Sequence, residues 1–212
     1  MTTRLVLVRH GESLWNAEGR LQGQGGTGLS ELGLQQAELL AAYLCERFPD
    51  VAAAISSDLE RVTQTAQPWL SRTGMDARVD HRWREIDVGT WSGLTWAQVR
   101  EQDPQRFKAW RAGQDVRRGG GETFAEFRTR TGDAMQALAD IAGTVVVFTH
   151  GGSVRFSVAA ALDLPPMGER TLGAVHNCSV TQIVLGDRGP SLEAYNLHDH
   201  LAGLGTRYRS YT

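Results

Sequence analysis

Two histidines stand at the ends of short apolar runs, and each is followed directly by glycine. His10 ends the run LVLVRHG and follows Arg9, whereas His150 ends the run VVVFTHGG. A third run, AISSDLER, leads into a helical pattern that carries Arg61 near its start. If these runs are parallel strands, their carboxyl ends meet at one edge of a sheet, where open α/β folds bind ligands. The sequence therefore predicts a pocket that contains two imidazoles and two guanidinium groups.

This set of side chains suits a phosphate monoester. Guanidinium groups offer paired, planar donors that match the oxygens of a phosphate dianion. Neutral imidazole is available near pH 7 and is a competent nucleophile, so a histidine can accept the phosphoryl group covalently. Arginines can neutralise the charge that a metal ion neutralises in other phosphoryl-transfer enzymes. We therefore expect a phosphohistidine mechanism on a small-molecule phosphate monoester, with no metal and no other cofactor.

The leaving alcohol also needs a proton donor, and two carboxyl groups qualify. Glu85 and Asp87 stand in the segment WREIDVGTWSG, between Trp83 and Trp91. General acid catalysis requires a carboxyl group within hydrogen-bond reach of the departing oxygen. Either residue meets this requirement by its type and position, so the residues alone leave both open.

Apolar runs and helical patterns alternate along the chain, which is typical of a parallel sheet covered by helices. The predicted strands are Arg4–Val8, Ala52–Ser56, Thr144–Thr149, Val180–Leu185 and Leu192–Leu197. The last two are predicted to pair across the turn at 186–189. Residues 1–212 are predicted to form a single domain, in which residues 104–122 are a lid or an excursion.

Four helices are predicted between these strands, and several residues mark their ends. They are Glu31–Phe48, Leu59–Arg72, Thr123–Ala142 and Ser153–Leu162. Ser30 and Asp58 are the expected N-caps of the first two helices. Pro68 is expected to kink or shorten the second helix and Gly74 to stop it, while Gly143 closes the third.

Composition narrows the class of protein further. The chain has 212 residues, with 22 basic and 24 acidic side chains and a net charge of −2, so it has no overall attraction to nucleic acid or acidic membranes. No apolar run approaches the roughly 20 residues that span a bilayer. Cys45 and Cys178 do not make a disulfide framework and fit a reducing compartment. We therefore expect a soluble cytoplasmic α/β protein without nucleic-acid or membrane partners. The composition is also compatible with assembly into a homo-oligomer.

The ordered motifs of the chain resemble the histidine phosphatase superfamily, which includes the cofactor-dependent phosphoglycerate mutases. They are RHGES–WN at 9–16, GRLQG at 19–23, LSELG at 29–33, SSDLERVTQTA at 56–66, REIDVGTWSG at 84–93, GGGET at 119–123 and THGG at 149–152. Together they extend over roughly residues 4–185. The resemblance implies a three-layer α/β/α sandwich around a mostly parallel sheet. The loop 24–28 (QGGTG) departs from the family's usual form, since relatives commonly carry an acidic or bulkier residue there, near the expected pocket mouth.

The resemblance also implies roles for individual residues. It implies that His10 is the phosphorylated nucleophile and that Glu85, rather than Asp87, is the acid and base. The implied phosphate ligands are Arg9, Arg61 and His150. The implied secondary contacts are Asn16, Gln22, Gly23 and the backbone of Gly151.

Three functions are compatible with these residues. The leading one is a phosphomonoesterase of small phosphorylated metabolites. It is favoured because few residues separate Glu85 from the GGGET motif, whereas the mutases of this superfamily typically carry a longer insertion there. The runner-up is a phosphoglycerate mutase that uses 2,3-bisphosphoglycerate as cofactor, because Arg117 and Arg118 could hold a second anion. A non-catalytic phospho-ligand binding module is the third, but it predicts loss of His10 or Glu85, and both are present.

Three other signals are weak. The glycines at 23, 25 and 28 spell the dinucleotide pattern G-x-G-x-x-G, but no strand precedes them directly. His198 and His200 are too few to hold a metal, so no metal site is predicted. Cys178 has no accompanying base that would make it a nucleophile.

Overall fold

The computed structural model describes residues 1–204, and its centre is a six-stranded sheet. The strands are β1 (Thr3–Arg9), β2 (Val51–Ser56), β3 (Ala77–Val79), β4 (Gly143–Thr149), β5 (Val180–Gly186) and β6 (Gly189–Leu197). Their order across the sheet is β3-β2-β4-β1-β5-β6. β1, β2, β3 and β4 run parallel, whereas β5 is antiparallel to β1 and β6 to β5. The prediction of a mostly parallel sheet is confirmed.

Helices cover both faces of this sheet. The helices of the described residues are α1 (Leu14–Ala17), α2 (Glu31–Arg47), α3 (Glu60–Thr73), α4 (Trp96–Gln102), α5 (Pro104–Arg111), α6 (Phe124–Gln136) and α7 (Gly151–Ala161), of which α2 and α3 cover one face and α6 and α7 the other. Val6 and Val8 of β1 belong to the core that α2 and α3 cover, while Leu5 and Leu7 belong to the core beneath α6 and α7. All four side chains are fully buried, as expected for a central parallel strand with both faces covered. The result is the expected α/β/α sandwich.

The ends of α2 and α3 test the predicted capping residues. Ser30 caps α2, since its hydroxyl accepts a hydrogen bond from the Gly33 amide at 3.1 Å. The prediction for Asp58 is wrong: Leu59 occupies the N-cap position of α3 and makes no side-chain cap bond. The Asp58 carboxylate is instead engaged by the Arg84 guanidinium, whose Nε donates to Oδ1 at 2.6 Å. Asp58 therefore forms a bidentate ion pair with Arg84 instead of capping α3.

Pro68 and Gly74 were both expected to limit the length of α3, but only Gly74 does so. Pro68 lies inside α3, which continues to Thr73, so the predicted shortening is wrong. Gly74 ends the helix as predicted, with a left-handed φ of 68° that favours glycine. The bounds of α3 are therefore close to those predicted.

The second helical layer departs further from the predicted bounds. α6 ends at Gln136, because the chain then forms tight turns such as Leu138 N–H to Met135 O at 3.1 Å. Gly143 does not close a helix but begins β4, with a φ of 101°. Leu138 and Ile141 have helical spacing in the sequence, but they lie in turns and pack against the apolar residues of the sheet.

The segment predicted as a lid or excursion consists of α5 and a short 3-10 turn at Arg118–Gly120. Together with α4 it packs on a third apolar cluster, which includes Trp91, Phe127 and Phe156. The edge strand β3 was missed, because its three residues carry no apolar alternation. The single domain stays a prediction, and its last eight positions, 205–212, lie outside the described residues. Over residues 1–204, no helix is long and apolar enough to cross a membrane.

Candidate active site

The carboxyl ends of β1, β2 and β4 meet at one edge of the sheet. Arg9 at the end of β1 is in register with Thr149 at the end of β4, so His10 and His150 leave the sheet side by side. Their ring centroids are 5.3 Å apart, and the two ring planes are inclined at 66°. The parallel pairing thus brings together two histidines that are 140 positions apart in the sequence.

A cavity of about 560 Å³ opens at this edge. Seven of the nine predicted site residues line it: Arg9, His10, Asn16, Gln22, Gly23, Arg61 and Glu85. His150 and Gly151 do not belong to its wall. The loop 24–28 does not line it, but the carbonyl of Gly25 in that loop accepts from Nη1 of the lining residue Arg61 at 2.7 Å. Its place near the pocket mouth stays a prediction.

His10 is held in one tautomer. Its Nδ1 lies 2.7 Å from the carbonyl oxygen of Gly11, and a carbonyl can only accept, so Nδ1 carries the hydrogen and Nε2 keeps its lone pair. The ring is 3% exposed. Burial, followed by the positive charges of Arg61 and Arg9, holds the pKa of His10 well below 6.5. The imidazole is therefore neutral at pH 7, with one unprotonated nitrogen.

Arg61 connects the first turn of α3 to the loop beside the cavity. Its Nη1 donates to the carbonyl of Gly25 and its Nη2 to the carbonyl of Gly23, each at 2.7 Å. Nη2 also lies 3.2 Å from Nδ1 of His150. Burial lowers the pKa of Arg61 to about 10, which still leaves it charged at pH 7. A positive charge is thus held rigidly in the cavity wall.

His150 lies behind Arg61 and His10 and is fully buried. Because Arg61 donates to its Nδ1, the hydrogen belongs on Nε2, which donates to the hydroxyl of Ser57 at 3.0 Å. Burial and the charge of Arg61 keep the pKa of His150 well below 6.5. Ser57 was not singled out in the sequence, although it directly follows β2 in the same motif as Arg61.

Glu85 is anchored at the beginning of α7. Its Oε2 accepts from the amide of Gly152 at 3.0 Å, and its Oε1 accepts from the amide of Ile86 at 2.9 Å. A Cβ atom at position 152 would lie 2.9 Å from Cδ of Glu85, so this close approach requires glycine. Asp87 instead accepts from the amide of Gly89 at 2.8 Å and does not line the cavity. Of the two carboxyl groups, the structure brings only Glu85 to the cavity.

Two amide side chains in the wall are oriented by neighbours. The side-chain oxygen of Asn16 accepts from Nδ2 of Asn177 at 3.2 Å, and that of Gln22 accepts from the Ser13 hydroxyl at 2.8 Å. Arg9, whose Nη1 donates to the carbonyl of Val175, completes this side of the wall. Ser13 and Asn177 were not predicted as site residues. Asn177 is 161 positions from Asn16, so no sequence spacing connects them. Ser13 lies in the RHGES motif, whose position offered a signal.

Most of the remaining cavity-lining residues were not predicted from the sequence. The cavity wall includes Trp96 and Trp110, whose rings are stacked with centroids 4.4 Å apart and planes inclined at 9°. Further lining residues not singled out are Arg20, Leu21, Arg111, Phe124, Gly152, Arg155, Phe156, Glu169 and Arg170. Arg118 also lines it, whereas Arg117 is exposed and pairs with Glu126, so only one of the two expected arginines is placed there.

The structure also accounts for His198, His200 and Cys178, which the sequence raised as weak candidates for a metal site and a nucleophile. Nδ1 of His198 bonds the Asn196 carbonyl and Nε2 of His200 bonds the Cys178 carbonyl. Across residues 1–204 there is no group of three or more His, Cys, Asp or Glu side chains able to hold a metal ion. Burial raises the pKa of the Cys178 thiol, which disfavours a reactive thiolate.

Three similar proteins match most of the chain. A glucosyl-3-phosphoglycerate phosphatase of Mycobacterium tuberculosis is 38% identical over 190 residues, 85% of this chain and 84% of the relative. A metal-independent phosphoserine phosphatase of Arabidopsis thaliana is 34% identical over 99% of this chain and 87% of its own length. A probable phosphoglycerate mutase of Salmonella choleraesuis is 33% identical over 85% of this chain and 84% of its own.

The fold agrees with a solved structure of the same kind. The mycobacterial glucosyl-3-phosphoglycerate phosphatase in complex with VO3 superposes with a TM-score of 0.82 and 36% identity, over 92% of this chain and 99% of that one. The family description "Histidine phosphatase superfamily (branch 1)" matches residues 5–198. The chain therefore belongs to the histidine phosphatase superfamily, branch 1.

Proposed function

We propose that this protein is a phosphomonoesterase of small phosphorylated metabolites that acts through a phosphohistidine at Nε2 of His10. The observation that carries the proposal is the state of that ring: neutral, held by Gly11 in the tautomer that leaves Nε2 unprotonated, and placed in the cavity wall. A nucleophile in the correct tautomer needs no separate base for the first step. The similarity to phosphatases acting on phosphorylated metabolites supports this choice.

The reaction then has two steps. Nε2 of His10 forms a bond to phosphorus while the ester P–O bond breaks, and the protonated Glu85 carboxyl gives its proton to the departing alkoxide. In the second step Glu85, now a carboxylate, takes a proton from water. The water oxygen bonds to phosphorus, the P–N bond breaks, and inorganic phosphate leaves with His10 regenerated.

Charge stabilisation comes from guanidinium groups rather than a metal ion in this proposal. Arg9 and Arg61 both line the cavity beside His10 and are positively charged at pH 7. The buried His150 accepts from Arg61 at Nδ1, which fixes its tautomer, and its Nε2 donates to Ser57. The name of the metal-independent Arabidopsis relative supports a reaction without metal. The free cysteines Cys45 and Cys178 support a reducing cytoplasmic location.

The test of this function is release of inorganic phosphate in the presence of EDTA. We expect hydrolysis of several esters, including p-nitrophenyl phosphate, O-phosphoserine and sugar phosphates, and no gain on adding Mg²⁺. No phosphate from any ester would overturn the proposal and favour the non-catalytic binding module.

A mutase is the second candidate, because Arg118 provides a cation near the site and because one relative is a probable phosphoglycerate mutase. The two reactions share the phosphoenzyme and differ in whether water reaches it. Incubation with 3-phosphoglycerate, with and without 2,3-bisphosphoglycerate as cofactor, separates them in the same assay. Fast formation of 2-phosphoglycerate would replace the phosphatase with the mutase.

Replacing Arg61 tests whether its guanidinium stabilises the charge on the phosphate. Arg61→Ala should lower kcat/KM by about 10²–10³, by analogy with removal of an oxyanion donor, and Arg61→Lys should restore little because it cannot make the paired contacts. Steady-state hydrolysis of p-nitrophenyl phosphate measures both. Arg72→Ala, an exposed arginine near the end of α3, is the matched control and should retain wild-type activity. A loss below tenfold for Arg61→Ala would place Arg61 outside the chemistry.

A further inference from the structure

Glu85 is carried by a segment without regular secondary structure. Between the 3-10 turns at His81–Trp83 and Gly89–Trp91, residues 84–88 form neither helix nor strand. The backbone polar groups of this segment therefore cannot be paired along a helix or across a sheet, and they need other partners. A general acid must lie within hydrogen-bond reach of the departing oxygen. Proton transfer by Glu85 thus depends on what holds the segment in place.

Arg130 of α6 supplies several of these partners. Its Nη1 donates to the carbonyl of Arg82 at 2.8 Å and to the carbonyl of Arg84 at 2.9 Å. Its Nη2 donates to the carbonyl of Glu85 itself at 3.2 Å. A guanidinium group presents its donors in a rigid plane. One side chain therefore fixes three carbonyl groups of the segment relative to one another.

Glu122 holds Arg130 in this orientation. Its Oε1 accepts from Nε of Arg130 and its Oε2 accepts from Nη2, each at 2.7 Å. Oε2 of Glu122 also accepts from the amide of Asp87 at 2.8 Å, and the amide of Glu122 donates to the carbonyl of Asp87 at 2.9 Å. The ion pair between Arg130 and Glu122 thus anchors the backbone on both sides of Glu85.

The glycines of the GGGET motif allow this close approach. A Cβ atom at position 121 would collide with the carbonyl group of Asp87, and one at position 89 would lie 2.8 Å from the amide nitrogen of Gly121. The two loops therefore pack backbone against backbone. None of residues 119–123 lines the cavity, and neither does Arg130. The effect of this motif on the reaction must therefore be transmitted through the segment that carries Glu85.

We propose that Arg130 and Glu122 are positioning residues for proton transfer by Glu85. The inference rests on the proposed phosphatase function and assigns a role to the GGGET motif in it. The amides of Ile86 and Gly152 orient the carboxyl group of Glu85, but only while the backbone of Glu85 stays in place. A displacement of about 1 Å between reacting groups can cost about 10² in rate, so the hydrogen bonds of Arg130 bear directly on the proton transfer.

Arg130→Met tests this role, because it removes these hydrogen bonds and keeps an apolar side chain beside the ring of Phe127. We expect phosphorylation of His10 by the alkyl ester O-phosphoserine to be slowed about tenfold or more. Phosphorylation by p-nitrophenyl phosphate should stay within about threefold of wild type, because p-nitrophenolate leaves without a proton. Rapid-quench single-turnover kinetics measure both rates. A merely structural role would lower both rates together, so the ratio of the two rates reports positioning.

Milder variants and a control on the same helix complete the set. Arg130→Lys keeps the charge but not the planar donors, and it should restore part of the ratio. Glu122→Gln should shift the ratio in the same direction as Arg130→Met, but less. Arg128→Met is the matched control, since Arg128 donates to carbonyl groups at 164–165, and it should leave both rates within about threefold of wild type. If Arg130→Met does not fold, Arg130→Lys and Glu122→Gln carry the same test.

A double variant distinguishes positioning of Glu85 from other effects. Adding Arg130→Met to Glu85→Gln should change the rate with O-phosphoserine by less than about threefold, because no acid is left to position. If neither ester phosphorylates the wild type, the phosphatase function fails, and the positioning role fails with it. If the wild type reacts but Arg130→Met lowers both rates by one common factor, or if the two losses multiply in the double variant, the phosphatase stands and the positioning role is wrong.

Discussion

His10→Ala is expected to lower kcat by about 10⁴–10⁶ and to abolish the phosphoenzyme, because it removes the atom that bonds to phosphorus. The ring it removes is the neutral one held by Gly11, with Nε2 unprotonated in the cavity wall. Alanine offers no nucleophile, and the remaining arginines stabilise charge on a phosphate that water attacks poorly. Residual activity then reflects binding and charge neutralisation alone.

The measurement is rapid-quench trapping of the phosphoenzyme under neutral or basic conditions, in which phosphohistidine survives, together with steady-state turnover. His81→Ala is the matched control, because His81 is an exposed histidine that contacts Asp58 away from the cavity. It should keep both the phosphoenzyme and the turnover of the wild type. A labelled phosphoenzyme in His10→Ala would show that another residue is the nucleophile.

Glu85→Gln has the second largest expected effect, a loss of about 10²–10⁴ in turnover of alkyl phosphates. Glutamine keeps an oxygen that can accept from Gly152 but has no proton to give to the departing alkoxide. An alkoxide is a poor leaving group without that proton, whereas p-nitrophenolate leaves readily without it. Phosphorylation of His10 by p-nitrophenyl phosphate should therefore be impaired much less than phosphorylation by an alkyl phosphate.

Single-turnover kinetics with the two esters measure this difference. Asp87→Asn is the matched control: asparagine retains an oxygen for the amide of Gly89, and position 87 is not in the cavity wall, so activity should change by less than about threefold. An equal loss with both esters in Glu85→Gln would mean that Glu85 positions α7 rather than transferring a proton. A large loss in Asp87→Asn would move the acid to the other carboxyl group.

The strands were predictable because their signal is local. A strand buried on both faces reads as an unbroken apolar run, and β1 and β4 show this in LVLV and VVVF. Parallel pairing then follows from the helical segments between the runs, and it brings the residues after each strand to one edge. The helix ends were less predictable. Asp58 is a good capping residue by type, but its pairing with Arg84, 26 positions away, depends on the tertiary fold.

The same distinction applies to the candidate site. The choice between Glu85 and Asp87 was open from the residues, because two carboxyl groups in one loop differ only in where the backbone directs them. The amide of Gly152 at the beginning of α7 holds one, and the turn at Gly89 holds the other. His150 was expected to touch phosphate, but Arg61 and Ser57 occupy its two ring nitrogens. Its role as a phosphate ligand stays a prediction.

The sequence by itself determined the fold class, the family and the residue types available for phosphate chemistry, because periodicity and contiguous motifs are properties of neighbouring positions. Only the tertiary structure decided the tautomer of His10, the place of His150 beside Arg61 and outside the cavity wall, and the choice of Glu85 over Asp87 in that wall. Those features depend on contacts between segments that share no spacing in the chain. Hydrogen bonding, burial and charge act through space, so the chemistry of this site follows from how the strands and helices bring such residues together.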